Sequence, residues 1–112
     1  MTLDEIIVKA QPLIEEMARR RNKDKPSYYL FGLKKGKKYV KIMRGTVSQF
    51  NPAGTDLIHC EGFIDENGNV LFPASYYSPA KGASAIRGNL DVNNGFDALD
   101  DSGNIRYIRG GW

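Results

Sequence analysis

The apolar pattern of this chain changes period once, and that change constrains the fold more than any other feature. Over the first twenty residues Leu3, Ile6, Ile7, Ala10, Leu13, Ile14, Met17 and Ala18 recur at helical spacing. Beyond Pro26 the apolar residues fall into short runs of strand formers: SYYLFGL, YVKIM, DLIHCEGFI, VLFPASYY and a last IRYIR. An amphipathic helix needs an apolar surface to lie on, and a sheet of short hairpins supplies one. The expected fold is α+β: a kinked N-terminal helix packed on a curved antiparallel sheet of four to six strands. At 112 residues, with only the polar NKDKP stretch between helix and sheet, residues 1–112 read as one domain.

Local chemistry refines the expectation. Thr2 followed by Glu5 is a capping-box pattern, and Asp4 and Glu5 suit the positive end of the helix dipole. Arg19, Arg20 and Arg21 close the segment at its negative end. Pro12 interrupts the pattern: it kinks one helix, or Gln11 ends a first helix and Pro12 opens a second. The apolar face runs across the proline, which favours one kinked element. In the first hairpin Lys35 and Gly36 are the expected turn residues, with Gly36 supplying positive φ. Leu33 then faces Lys38, and Phe31 faces Val40. One face carries Tyr29, Phe31, Leu33, Val40 and Ile42. The other carries Tyr28, Leu30, Tyr39, Lys41 and Met43. Phe63, Ile64, Val70 and Phe72 are expected to pair across the DENGN turn. SPAKGASAIRGNL reads as a loop or a short helix over residues 83–86, and DVNNGFDALDDSGN as an acidic loop.

Several functions find no support in the residues. No apolar run approaches the ~20 residues of a membrane span, and MTLDEIIVKA places acids ahead of its apolar stretch, unlike a secretory signal. Cys60 is the only cysteine, so neither an internal disulfide nor a multi-cysteine zinc site is available. His59 and Cys60 are adjacent, and neighbours on a strand point to opposite faces, so they form no dyad there. Asp65, Asn67 and Asn69 match the start of a calcium loop. Val70 and Tyr76, however, stand where it needs glycine and glutamate, so the segment reads as a hairpin turn. Asp97, Asp100 and Asp101 read as a solvated loop. No phosphate-loop sequence is present. The expectation is a binding protein without catalytic residues, metal or cofactor.

Charge is segregated. Residues 1–50 hold 12 lysines and arginines against 5 acids, and residues 51–112 hold 4 against 8. The cations gather at Arg19–Lys25 and Lys34–Arg44. Aromatic rings beside cations on a sheet can hold single-stranded nucleic acid. This makes Arg19, Arg20, Arg21, Tyr28, Lys34, Lys35, Lys37, Lys38, Tyr39, Lys41 and Arg44 candidate contacts. Hairpin lysines also solubilise a tip and protect a sheet edge, and the alternative place for the tyrosines is under the helix. The polarity also suits steered association with a host protein, or a homo-oligomer in which basic and acidic halves meet. Tyr76, Tyr77 and Trp112 are the candidate anchors for such a contact.

The block FIDENGNVLFPASYYSPAKGASAIRGN, from Phe63 to Asn89, resembles a motif of small uncharacterised proteins of tailed bacteriophages and environmental viruses. The matching residues are Phe63, Asp65, Gly68, Val70, Ala74, Ser75, Tyr76, Pro79, Ala80, Lys81, Arg87 and Asn89. Those relatives often carry tryptophan at the Tyr76 position and a shorter gap between the lysine and the arginine. The run KKYVKI is also similar. The resemblance implies a viral accessory protein in the host cytoplasm and supplies no activity. The alternative to nucleic-acid binding is a protein-binding or self-assembling accessory factor, for example an inhibitor of a host protein. Read from the residues, Lys81, Arg87 and Asn89 crowd a small-residue segment. They either bind an anion there or satisfy carbonyls and acids of the following loop.

Overall fold

The structure is a computed structural model, and it describes residues 1–23, 29–46, 59–75 and 77–107. Asp24, Lys25, Tyr28, Tyr76 and Trp112, and residues 56–58 at the start of the strand expected over 56–64, lie outside the described residues. Two helices, α1 (Leu3–Lys9) and α2 (Gln11–Arg21), precede five strands: β1 (Tyr29–Lys35), β2 (Val40–Thr46), β3 (His59–Ile64), β4 (Asn69–Leu71) and β5 (Ile86–Asn89). The strands form one antiparallel sheet in chain order. The α+β expectation, with four to six strands, is met.

The capping box forms as the sequence requires. The Glu5 N–H donates to the Thr2 hydroxyl, and the Thr2 N–H donates to the Glu5 carboxylate. The first of the two proline outcomes is corrected: the helix divides. Ala10 stays in the right-handed region (φ −86°, ψ −5°) between two assigned helices, and Pro12 stands in the first turn of α2. There its missing N–H costs least. The Gln11 side chain donates to the Ile7 carbonyl near the break.

The first hairpin keeps the expected faces in a different register. Leu33 faces Ile42 and Lys35 faces Val40, so Lys37 and Lys38 form the bend. Gly36 has no positive φ. Its N–H donates to the Tyr39 carbonyl at 2.9 Å, and a Cβ on it would lie 3.0 Å from that oxygen. Glycine is therefore needed for close approach and not for a left-handed turn. The slip moves each pairing by an even number, so every side chain keeps its face.

The core joins the helices to one side of the sheet: Ile6, Ala10, Leu13, Ile14 and Met17 meet Val40, Ile42, Ile64 and Val70. Phe31 and Leu33 pack at its border. A smaller cluster on the other side joins Phe63, Leu71 and Ala85 to Tyr39, Cys60 and Ala80. Three further expectations are corrected. Phe72 lies beyond β4, and Phe63 pairs with Leu71 instead. A short 3₁₀ turn, Ala83–Ala85, is followed by the unforeseen strand β5. Ala98 packs where a Cβ at Gly88 would lie 3.1 Å away, so this small-residue strand gains its partner from the chain that follows. Finally, of the expected IRYIR strand only Ile105 pairs, in a single bridge with Leu99, within the described residues.

Candidate functional site

Most of the arginines are committed within the fold. Arg19 and Arg20 both bond Glu16, one helical turn or less away, and Arg20 also donates to the Asp100 carbonyl. The Arg19 side chain is 71% exposed. The guanidinium groups beside Glu16 hold its carboxyl at about 2, well below the usual carboxylate range. Arg21 reaches across to the sheet and the late loop. It bonds Glu61 and Asn104, donates to the Ser102 carbonyl, and lies over the rings of Tyr29 and Phe31. Arg44 donates to the same Glu61 oxygen at 2.5 Å and covers Tyr29 from its own strand. Two arginines, one glutamate and two rings thus form a half-buried knot between α2, β1, β2 and β3. Cation–π contact and ion pairing reinforce one another in such a site.

The lysines behave differently. Lys35 pairs with Asp4, but Lys34, Lys37, Lys38 and Lys81 are exposed, and none joins an ion pair among the described residues. Lys41 stands on the side of the sheet away from the helices. Its ammonium lies 5.8 Å from the Phe63 ring and 5.3 Å from that of Tyr77. Tyr39 meets Phe63 edge-on at 5.8 Å. Lys38 and Tyr39 form one wall of a groove of about 630 Å³. Lys81 and its neighbours form the facing wall, Leu71 and Ile86 are apolar lining, and Asp65 and Glu66 line it as well. The Asp65 carboxylate is occupied by its own turn, accepting from the N–H groups of Asn67 and Asn69. Tyr77, beside Lys41, is 82% exposed.

Of the three candidate anion ligands, only Lys81 faces this groove. Arg87 donates to the carbonyls of Ser84, Arg106 and Tyr107 and covers the Phe72 ring at 5.0 Å. Asn89 bridges the Asn67 carbonyl and the Asn69 side chain. Both therefore brace backbone. The structure brings Lys81 and Tyr77 to the basic hairpin, a long-range neighbourhood that no local spacing announces. His59 is exposed at the start of β3, paired across the ladder with Arg44. Burial pushes the Cys60 thiol above its usual pKa, against a smaller opposing effect of a backbone hydrogen bond at Gly62. Among the described residues no group of acids, histidine and cysteine is placed to hold a metal ion. No helix there is long and apolar enough to cross a membrane.

The fold and groove define a small α+β protein with lysines, Tyr39 and Tyr77 on the sheet side away from its helices, and with Asp65 and Glu66 in the same groove lining as Lys38 and Lys81. Residues 3–108 match a family of unknown function, DUF7717, and the chain belongs to that family. No curated protein and no solved structure matches it.

Proposed function

We propose that this is a small non-enzymatic accessory protein that holds single-stranded nucleic acid along the groove between the first hairpin and the residue 77–83 segment. The observation that carries the reading is a groove lined by Lys38, Tyr39 and Lys81, with exposed Lys34 and Lys37 on the same hairpin and exposed Tyr77 beside Lys41, lysines 34, 37, 38 and 81 joining no ion pair among the described residues. Lysines would contact phosphates, giving a salt-dependent affinity. Each base stacked on a tyrosine would add ~1–3 kcal/mol. The resemblance of the Phe63–Asn89 block to small bacteriophage proteins supports a viral origin and a place in the host cytoplasm.

The test is fluorescence anisotropy with a labelled oligothymidylate across a salt series. Affinity should fall linearly with salt on logarithmic axes, the slope easing by about 0.7 for each phosphate contact removed. Lys37→Glu, Lys38→Glu and Lys81→Glu together should abolish binding, and Tyr39→Ala should weaken it. Absence of binding at low salt sinks the reading. A second reading, a protein-binding or self-assembling factor, is favoured by the exposure of Tyr77 and Tyr107. It predicts a stable dimer in sedimentation or a host protein recovered with the purified chain.

A further inference from the structure

The two edges of the sheet are not alike. At one end β5 is four residues long, its ladder with β4 is interrupted at Val70/Leu71, and its Arg87 carbonyl accepts from the Arg106 guanidinium. At the other end β1 runs for seven residues, with β2 on one side and no strand on the other among the described residues. The direction of its backbone groups can be read from two contacts. The Gly36 N–H bonds the opposite strand at Tyr39, whereas both backbone groups of Tyr29 bond the Asn22 side-chain amide, on the outer side. In an antiparallel ladder this direction alternates. Tyr29, Phe31, Leu33 and Lys35 therefore all point outward. The Asn22 amide takes the place of a neighbouring strand at Tyr29 alone. At Phe31, Leu33 and Lys35 the outward N–H and C=O groups have no protein partner among the described residues.

Each face of this edge has its own chemistry. On the helix side a groove of about 420 Å³ runs between α2 and β1, with Ile14, Ala18 and Phe31 in its lining. On the opposite side Lys34 stands in register with Lys41, and Lys37 follows in the bend. We propose that β1 is a docking edge for an extended acidic segment of a partner protein, which adds antiparallel or parallel to the sheet as an extra strand. Main-chain bonds at Phe31, Leu33 and Lys35 would supply affinity, and the alternating side chains specificity. Apolar side chains of the segment enter the groove beside Phe31, and its acidic side chains meet Lys34 on the opposite face. Charge selects this occupant over a second copy, because two β1 edges would bring two lysine rows together. The site shares Lys34 with the lysine face proposed for nucleic acid, but it is built on the β1 edge and the α2 groove, which that reading does not use.

The probe is a labelled peptide of alternating glutamate and valine, about as long as β1, titrated into the full chain. Binding should be saturable, with the Phe31, Leu33 and Lys35 amides becoming protected from hydrogen exchange. Lys35→Pro removes one outward N–H without touching the β2 ladder, and Lys34→Glu reverses the charge on the outer face. Each should weaken binding by about tenfold or more. The Lys34→Glu arm stands if the proline variant fails to fold. Three results overturn the proposal: no binding, equal binding of a lysine–valine peptide, or protection that spares β1. Protection of β1 that rises with protein concentration alone assigns the edge to a second copy and overturns it too.

Discussion

Arg44 Nε donates to Glu61 Oε1 at 2.5 Å across the β2–β3 ladder, and Arg21 approaches the same oxygen from α2 at 3.4 Å. One carboxylate therefore balances two half-buried guanidinium groups. Its removal leaves both without their anion while Tyr29 and Phe31 still hold them in place. Glu61→Gln is expected to cost about 2–4 kcal/mol, read as a lower urea midpoint at unchanged slope. A loss within experimental scatter would show the knot to be ornamental to stability.

Glu16 gives the protein a defined acid response. Its folded pKa, held at about 2 by Arg19 first and Arg20 second, lies below its ordinary value of 4.5. A lowered acid contributes stability that is whole above its unfolded pKa and is lost as pH falls toward the folded one. Stability should thus decline between about pH 4.5 and pH 2, and Glu16→Gln should flatten that part of the profile. The measurement is urea unfolding at stepped pH, and an identical decline in the variant would assign it to other carboxylates.

Gly103 is buried with φ +80°, and a Cβ on it would stand 2.7 Å from the Met17 carbonyl and 3.1 Å from the Arg21 nitrogen. Both obstacles are helix backbone and cannot turn aside. Gly103→Ala combines a strained conformation with a backbone clash and is expected to lose about 2–4 kcal/mol. Thermal melting decides it, and a variant as stable as the parent contradicts the packing described.

Cys60 should react slowly. With its pKa raised by burial, less of the thiol is thiolate at neutral pH, and thiolate is the attacking species. Ellman's reagent should modify the folded chain more slowly than free cysteine and at the ordinary rate once it is unfolded in urea. A fast reaction in the native protein would contradict the burial.

What the sequence disclosed was local or periodic. Thr2 and Glu5 stand three residues apart, so the capping box could be written down from spacing. The sidedness of Tyr29, Phe31, Leu33, Val40 and Ile42 follows from alternation, which survived a bend displaced onto Lys37 and Lys38. The displacement itself was hidden because a run of lysines and one glycine permits several two-residue bends. The Glu61 knot was hidden for another reason. Its members come from α2, β2 and β3, so Arg21 and Arg44 looked like available cations until the sheet brought them to one acid. Strand β5 has neither alternation nor bulky strand formers beyond Ile86, and it pairs because β4 and Ala98 are already beside it. At the candidate groove the hairpin lysines and Tyr39 were legible. Lys81 appeared only as an anion ligand, and Tyr77 only as an interface anchor.

The helix and the late loop are joined across nearly the whole chain. Arg20 bonds the Asp100 carbonyl 80 positions away, Arg21 bonds Asn104 83 positions away, and Gly103 fits against Met17. Synthesis runs from the N-terminus, so α2 emerges before the late loop yet must wait for residue 104 before its last turn acquires these partners. Contacts of such separation slow folding and leave early segments exposed in the meantime. An early-made helix is therefore fastened by a late-made loop, and a chain cut short before residue 100 would carry that helix without the loop that ties it down.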